Sequence, residues 1–208
     1  MSLPRSPHTL VLGVLGGIAS GKSEVARLLA GPQGRVLDAD RLAHEVLEEP
    51  ELRAWIAARF GPAAVAGERV DRAVLAARVF SEPAARRELE ARVHPRVRSR
   101  ICSGVEEARA AGVPRVVLDV PLLLENDAEH GLARACDALV FVDADAKVRD
   151  QRAVARRGWA SGELARREAL QLPLAHKRDR ADFVIRNDLG LDELRAAVGR
   201  VLAQIEAR

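Results

Sequence analysis

Leu10-Val11-Leu12-Gly13-Val14-Leu15 runs directly into Gly16-Gly17-Ile18-Ala19-Ser20-Gly21-Lys22-Ser23, and how these residues are read decides the fold. The first six form a short apolar run, the pattern of a strand buried on both faces. The next eight fit G-x-x-x-x-G-K-[ST] throughout. Behind them Val25, Ala26, Leu28 and Leu29 recur at helical spacing. Strand, glycine loop and helix therefore follow in the order of a phosphate-binding loop. Glycines let successive backbone N–H groups turn inward around phosphate oxygens. The helix N-terminus adds partial positive charge. Lys22 is placed to reach the β- and γ-phosphates, and the Ser23 hydroxyl to ligate Mg²⁺. A Gly-rich turn matching by chance is the bland alternative, and the flanking strand and helix argue against it. The sequence implies a protein that binds a nucleoside triphosphate.

Outward from the loop, residues 35–38 read as a second strand, ending in Asp38-Ala39-Asp40. Helical spacing follows at Leu42, Val46 and Leu47, then at Leu52, Trp55, Ile56 and Phe60, with Pro50 between the two helices and Gly61-Pro62 after the second. Asp71 is placed to cap a helix carrying Val74, Leu75, Ala76 and Val79. A longer helix starts near Pro83, with Leu89, Val93, Val97 and Ile101 inside, and Pro95 is expected to kink or restart it. A third strand spans 116–120, ended by Pro121, and a fourth spans 138–143. The segment 147–180 reads as two helices broken near 158–162, the fifth strand as 183–185. A last helix has Leu191, Leu194, Val198, Val201 and Ile205 on one stripe. Strands alternating with helices mean an α/β fold, a five-stranded parallel sheet flanked by helices. Ligands of such sheets lie beyond the carboxyl ends of the strands. The block from Leu42 to Val113 has no strand signal and reads as a helical insertion.

The 208 residues suffice for one domain with insertions. Aromatic residues make up only 3% and Tyr is absent, which argues against a base-stacking single-strand binder. Residues 147–180 hold ten Lys or Arg against four Asp or Glu, while the whole chain has a formal charge of +3. The positive charge is therefore local, which suits an anionic small molecule better than nucleic acid. Cys102 and Cys136 form no C-x-x-C pair, so neither a disulfide framework nor zinc is indicated, and a reduced, cytoplasmic protein is expected. Arg5 before an apolar run resembles a secretory signal, but cleavage near Ala19 would cut the phosphate loop. A short disordered leader is expected instead. No apolar run reaches the roughly 18 residues of a membrane span.

Beside the loop, the Asp38-Ala39-Asp40 pair can hold Mg²⁺ or its waters and accept a proton from an attacking hydroxyl. The competing reading is a helix cap. Arg149, Arg152 and Arg156 are spaced to share a helix face, where they either neutralise a transferring phosphoryl group or form a solvated basic face. Asp119, ending a central strand, is either a Walker B acid or a strand-end carboxylate of no special role. His94-Pro95 alone is a weak signal.

Taken in order, the motifs resemble the bacterial dephospho-CoA kinases, P-loop kinases, over nearly the whole chain. They are the loop Gly16–Ser23; Asp38-Ala39-Asp40; Phe60-Gly61; Asp71-Arg72 with Leu75 and Val79-Phe80; His94-Pro95; Pro121-Leu122-Leu123-Leu124-Glu125; Arg152 and Arg156; Gln171 with Lys177; and Ala181-Asp182-Phe183-Val184-Ile185 with Asn187. The loop is shared by many families, whereas the later motifs together are specific. The resemblance implies a core over about 9–41, 114–146 and 181–208, an acceptor-binding helical insertion over about 42–113 and a lid over about 147–180. It implies transfer of the γ-phosphoryl group of ATP to the ribose 3′-hydroxyl of dephospho-CoA, giving coenzyme A and ADP, in a cytoplasmic monomer needing Mg²⁺.

By the same resemblance Asp40 is the general base with Asp38 beside it, and Lys22 and Arg156 serve the phosphates. Gly16, Gly17, Ile18, Ala19, Ser20, Gly21, Lys22, Ser23, Glu24 and Asn187 hold the nucleotide, and Ser23 and Asp38 the metal. Arg72, His94, Pro121, Leu122 and Asp40 face the acceptor. Two loop positions depart from the family pattern: Ala19 stands where Gly is usual, and Glu24 where Thr is common. The Glu24 carboxylate either points away or disturbs the α-phosphate contact. The choice of Arg156 over Arg152 or Arg157 stays open. Another small-molecule kinase of this fold, such as one for nucleoside monophosphates, is the main alternative. A guanine-specific switch lacks its Asn-Lys-x-Asp motif here, and a nucleic-acid module is disfavoured by the acidic remainder.

Overall fold

Val11, Leu12, Val14 and Leu15 are all buried, on alternating faces of one strand, so that strand must be covered on both sides. It is β1 (Leu10–Gly16), the centre of a five-stranded sheet, in a computed structural model that describes residues 9–160 and 162–207. The expected leader lies outside the described residues.

The chain continues through α1 (Lys22–Ala30), β2 (Arg35–Asp38), α2 (Ala39–Leu47), α3 (Pro50–Phe60), the short strands β3 (Val65–Ala66) and β4 (Arg69–Val70), α4 (Arg72–Ser81) and α5 (Pro83–Ala110). It goes on through β5 (Arg115–Asp119), α6 (Asp127–His130), β6 (Ala138–Asp143), α7 (Ala146–Arg157), α8 (Glu163–Glu168), α9 (Leu174–Asp179), β7 (Phe183–Arg186) and α10 (Leu191–Glu206). The sheet order is β2-β5-β1-β6-β7. β1 runs parallel to β5, with Leu12 opposite Val117, and to β6, with Leu15 opposite Phe141, while β6 pairs in parallel with β7. Two compact units result, one running to Leu37 and resuming at Val105, the other Asp38–Gly104.

In the first unit, Val25, Ala26 and Leu29 of α1 and Leu194, Val198, Val201 and Ile205 of α10 cluster with Leu12, Val14 and Val140 of the sheet. Each fully buried Leu or Val contributes about 1.5–3 kcal/mol, so the sheet is a firm base for whatever its strand ends carry. In the second unit, Leu52, Ile56 and Phe60 of α3 are buried, as the 3.6-residue period requires. Pro50 occupies the first turn of α3, where its missing N–H costs nothing. Asp71 caps α4, accepting from the N–H groups of Ala73 and Val74.

Four expectations are corrected. The segment 42–113 is not purely helical: β3 and β4 form an antiparallel hairpin around Gly67, whose φ of 62° suits glycine. Strands of two residues are too short to show alternation. Of the two outcomes expected at Pro95, a kink or a restart, the restart does not occur: α5 runs through it. Ala91, whose carbonyl loses its partner, and Pro95 itself are both exposed, so water can satisfy that carbonyl. The segment 147–180 holds three helices, because Pro173 starts the short α9. Finally, α2 begins at Ala39, so Asp38 and Asp40 are not neighbours in extended chain.

Candidate active site

The carboxyl ends of the strands carry Gly16 on β1, Asp119 on β5, Asp143 on β6 and, just past β7, Asn187. The phosphate loop leaves β1 at Gly16. Its turn is closed by the Ser20 N–H donating to the Gly17 carbonyl (3.3 Å). Gly21, at φ 92°, precedes α1, and its carbonyl accepts from the N–H groups of Glu24 and Val25 at 3.1 Å each. Ala19 is also left-handed, at φ 58°. For a residue with a Cβ that conformation costs roughly 1–2 kcal/mol, which explains why glycine suits this position.

Lys22 opens α1, and its ammonium folds back on the loop, donating to the carbonyls of Gly16 (3.2 Å) and Gly17 (2.9 Å). Burial lowers its pKa to about 8, with Lys177 and Arg157 adding to the effect and Asp119 and Glu168 opposing it. Asp119 is only 7% exposed. Its charge acts on the phosphate-loop lysine from the end of β5.

Asn187 ties the last strand to the loop. Its side-chain N–H donates to the Ser20 carbonyl (2.7 Å), and its backbone N–H to Asp143 O (2.7 Å). A Cβ on Gly21 would overlap the Asn187 amide, so this close approach requires glycine. Ser23, in the first turn of α1, is exposed. Glu24 is ion-paired with Arg27 (2.6 Å) along the helix, which occupies its carboxylate locally.

The basic segment divides its arginines among different tasks. Arg152 reaches the Ser20 carbonyl at 3.5 Å. Arg157 and Arg167 stack on Trp159, at 5.0 and 4.4 Å from the ring centroid. Arg156 is exposed near the end of α7. Arg149 is not part of a solvated basic face. Its side chain is 6% exposed and pairs with Glu168. Lys177 is likewise buried, pairing with Glu125 (2.7 Å) and donating to Gln171 (3.1 Å). Sequence motifs named Glu125, Gln171 and Lys177 without a role. Glu168 was missed altogether, because its partners lie 19 and 150 residues away.

Pro121 and Leu122 follow β5 and are exposed, Leu122 with a positive φ of 57°. Within the unit Asp38–Gly104, Asp38 caps α2, accepting from the Arg41 N–H (3.0 Å), while Asp40 is exposed in the first helical turn. Arg72 begins α4 beside His44 (3.3 Å), and His94 is exposed midway along α5.

A parallel sheet with its phosphate loop on the central strand and a basic helical segment after the fourth strand of the sheet defines a P-loop phosphotransferase. The family model for dephospho-CoA kinase matches residues 10–193. A dephospho-CoA kinase of Deinococcus radiodurans is 44% identical over 204 residues, covering 98% of this chain and 96% of that one. Among solved structures, TT1252 from Thermus thermophilus superposes with TM-score 0.73 at 37% identity, covering 95% of this chain and 98% of its own. The dephospho-CoA kinase from Campylobacter jejuni shares the fold, with TM-score 0.68 at 21% identity and coverage of 95% and 97%. The chain belongs to the dephospho-CoA kinase family.

Proposed function

We propose that the protein transfers the γ-phosphoryl group of ATP to the ribose 3′-hydroxyl of dephospho-CoA, giving coenzyme A and ADP, the last step of coenzyme A synthesis. What supports this reading is the dephospho-CoA kinase family match over residues 10–193 together with the phosphate loop on β1, whose Lys22 folds back onto the Gly16 and Gly17 carbonyls. The loop N–H groups and Lys22 take the β- and γ-phosphates, and the Asn187 amide holds the loop at the nucleotide end.

Ser23 and Asp38, with Asp119 behind the loop, would hold Mg²⁺. One hydroxyl and carboxylates, completed by phosphate oxygens and water, fit that ion, which dehydrates reluctantly. When bound, Mg²⁺ would neutralise charge on the phosphates.

Asp40 accepts the proton of the attacking hydroxyl from the solvent-facing first turn of α2. The Asp38 cap does not compete with this role, since it uses one carboxylate oxygen and leaves the other. Arg72 and His94, on the unit Asp38–Gly104, together with Pro121 and Leu122, meet the acceptor. We assign that unit the acceptor and the segment 147–180 the part of a lid. Arg156 meets the phosphoryl group in flight, with Arg152 and Arg157 near it.

A cytoplasmic monomer is the setting we propose. The unbridged thiols Cys102 and Cys136 suit a reducing compartment. Burial pushes the Cys136 thiol up to about 12, so it is inert. Among the described residues no helix is long and apolar enough to cross a membrane. ADP release from ATP and Mg²⁺ should be fast with dephospho-CoA and slow with AMP or CMP. Efficient phosphorylation of AMP with dephospho-CoA ignored would assign the protein to another kinase class.

A further inference from the structure

Glu168 belongs neither to the loop motif nor to the family motifs, yet its carboxylate reaches the phosphate loop. Its Oε1 accepts from the backbone N–H of Ile18 (3.0 Å) and from Arg149 Nη1. Arg149 is itself fixed from behind, its Nε donating to Ala144 O (3.0 Å). A Cβ on Gly17 would lie 2.7 Å from both Arg149 Nη1 and Glu168 Oε1, so the second loop glycine makes room for this pair.

The peptide between Gly17 and Ile18 is thus gripped on both edges. Its carbonyl accepts from Lys22 Nζ (2.9 Å) and from the Ser20 N–H (3.3 Å), while its N–H donates to Glu168. The next residue is Ala19, which carries a Cβ in the left-handed region at φ 58°. Such a conformation persists only where its surroundings over-determine it. Without the Glu168 contact one edge of the preceding peptide would be released. The peptide could then rotate and let Ala19 relax into ordinary backbone, taking loop N–H groups out of line.

We infer that Glu168 is a positioning residue: by accepting the Ile18 N–H it locks the Gly17–Ile18 peptide and so keeps Ala19, and the loop beyond it, in the shape that receives phosphate. The lock works by reach, not by charge, because the Arg149 guanidinium already neutralises the carboxylate. It compensates for the alanine in this loop and couples α8 to nucleotide binding. The inference rests on the ATP-binding role of the loop.

The test separates reach from charge. Glu168→Asp keeps the charge opposite Arg149 but is one methylene too short for Ile18. Glu168→Gln keeps the reach and removes the charge. Each is made with Ala19 and with Ala19→Gly, and ATP affinity by calorimetry, KM for ATP, kcat and thermal midpoint are read. Glu168→Asp should weaken ATP about five- to tenfold, the worth of one such hydrogen bond, with kcat within about twofold. Glu168→Gln should stay within about twofold of wild type by the same measure. With Ala19→Gly, whose backbone needs no such support, the Glu168→Asp loss should shrink to less than about twofold.

Three results would overturn the lock. They are unchanged ATP affinity in Glu168→Asp, an effect of Glu168→Gln equal to or opposite in sign from that of Glu168→Asp, and an undiminished Glu168→Asp loss with Ala19→Gly. Glu168→Asp keeps the charge opposite the buried Arg149, so its thermal midpoint should move little, and a collapse in that variant would make Glu168 a folding residue instead. Glu168→Gln leaves the guanidinium without its counter-charge and should lower the midpoint, so its ATP affinity is read well below that temperature. A wild-type protein that fails to bind ATP would defeat the functional proposal. One that binds ATP while Glu168→Asp changes nothing would defeat only the lock.

Discussion

Around the phosphate loop the supporting polar side chains are buried: Ser20, Asp119, Arg149, Lys177 and Asn187 are each 7% exposed or less. In the unit Asp38–Gly104 the polar ties are half-exposed or exposed. Arg59 pairs with Glu82 and Glu88, Arg96 with Glu49 and Glu51, and Arg100 with Glu45 and Glu49. Exposed pairs are worth about 0–1 kcal/mol each, whereas breaking a buried one costs about 3–5 kcal/mol. The difference teaches a division of labour. The loop is held in shape by buried side chains before any phosphate arrives. The other unit is tied by bonds that water and salt can exchange, which suits the acceptor-binding role proposed for it.

The largest test of this division falls on Asp40. Asp40→Asn keeps the size and removes the base, so kcat should fall about 10²- to 10⁴-fold while ATP affinity holds. Single-turnover kinetics with calorimetric ATP titration reads both. Asp38→Asn should instead raise the Mg²⁺ requirement. Equal small losses in the two variants, with no change in metal dependence, would make the pair a helix cap alone and move the search for the base to Asp119 and Glu125.

Next comes Arg156, exposed near the end of α7 in the segment proposed as a lid. Arg156→Ala should lower kcat about 10²-fold, with a smaller change in ATP affinity, because charge on the phosphoryl group develops in the transition state. A change confined to KM for ATP would show that Arg156 holds only the ground state.

A smaller effect concerns pH. In the phosphate-free loop Lys22 has its pKa lowered to about 8 by burial. It carries its charge below that pH and loses it above. The pH dependence of kcat/KM reports the free enzyme, so kcat/KM for ATP should fall about tenfold per pH unit above about 8. The corresponding limb in kcat should lie at higher pH, because bound phosphates favour the ammonium. A kcat/KM that stays level to pH 10 would mean that the lysine is not desolvated in the free loop.

The two regions also differed in how much of them the sequence disclosed. Strand, loop and helix from Leu10 to Ala30 were legible because loop chemistry is local and each residue answers to its neighbours. The fourth strand of the sheet, Ala138–Asp143, matched its apolar run residue for residue. Asp38 and Asp40 were read correctly as following a strand and incorrectly as extended, because the cap and the first helical turn share the same short polar spelling. Arg149 has the spacing of a lid arginine. Only the fold reveals Glu168 beside it, since no local rule joins a helix to a residue beyond the break at Gly158–Gly162. The β3–β4 hairpin was invisible because two-residue strands carry no period.

The most direct measurement is a crossed titration. Lys22→Ala and Arg72→Ala are each titrated with ATP and, separately, with dephospho-CoA in a calorimeter. Lys22→Ala should lose ATP affinity by about 10²-fold, the scale of losing charge-assisted bonds to two phosphates, and bind dephospho-CoA as the wild type does. Arg72→Ala should show the reverse, with about tenfold weaker dephospho-CoA and unchanged ATP. If both variants weaken the same ligand, or either weakens both equally, the loop and the unit Asp38–Gly104 do not divide donor from acceptor.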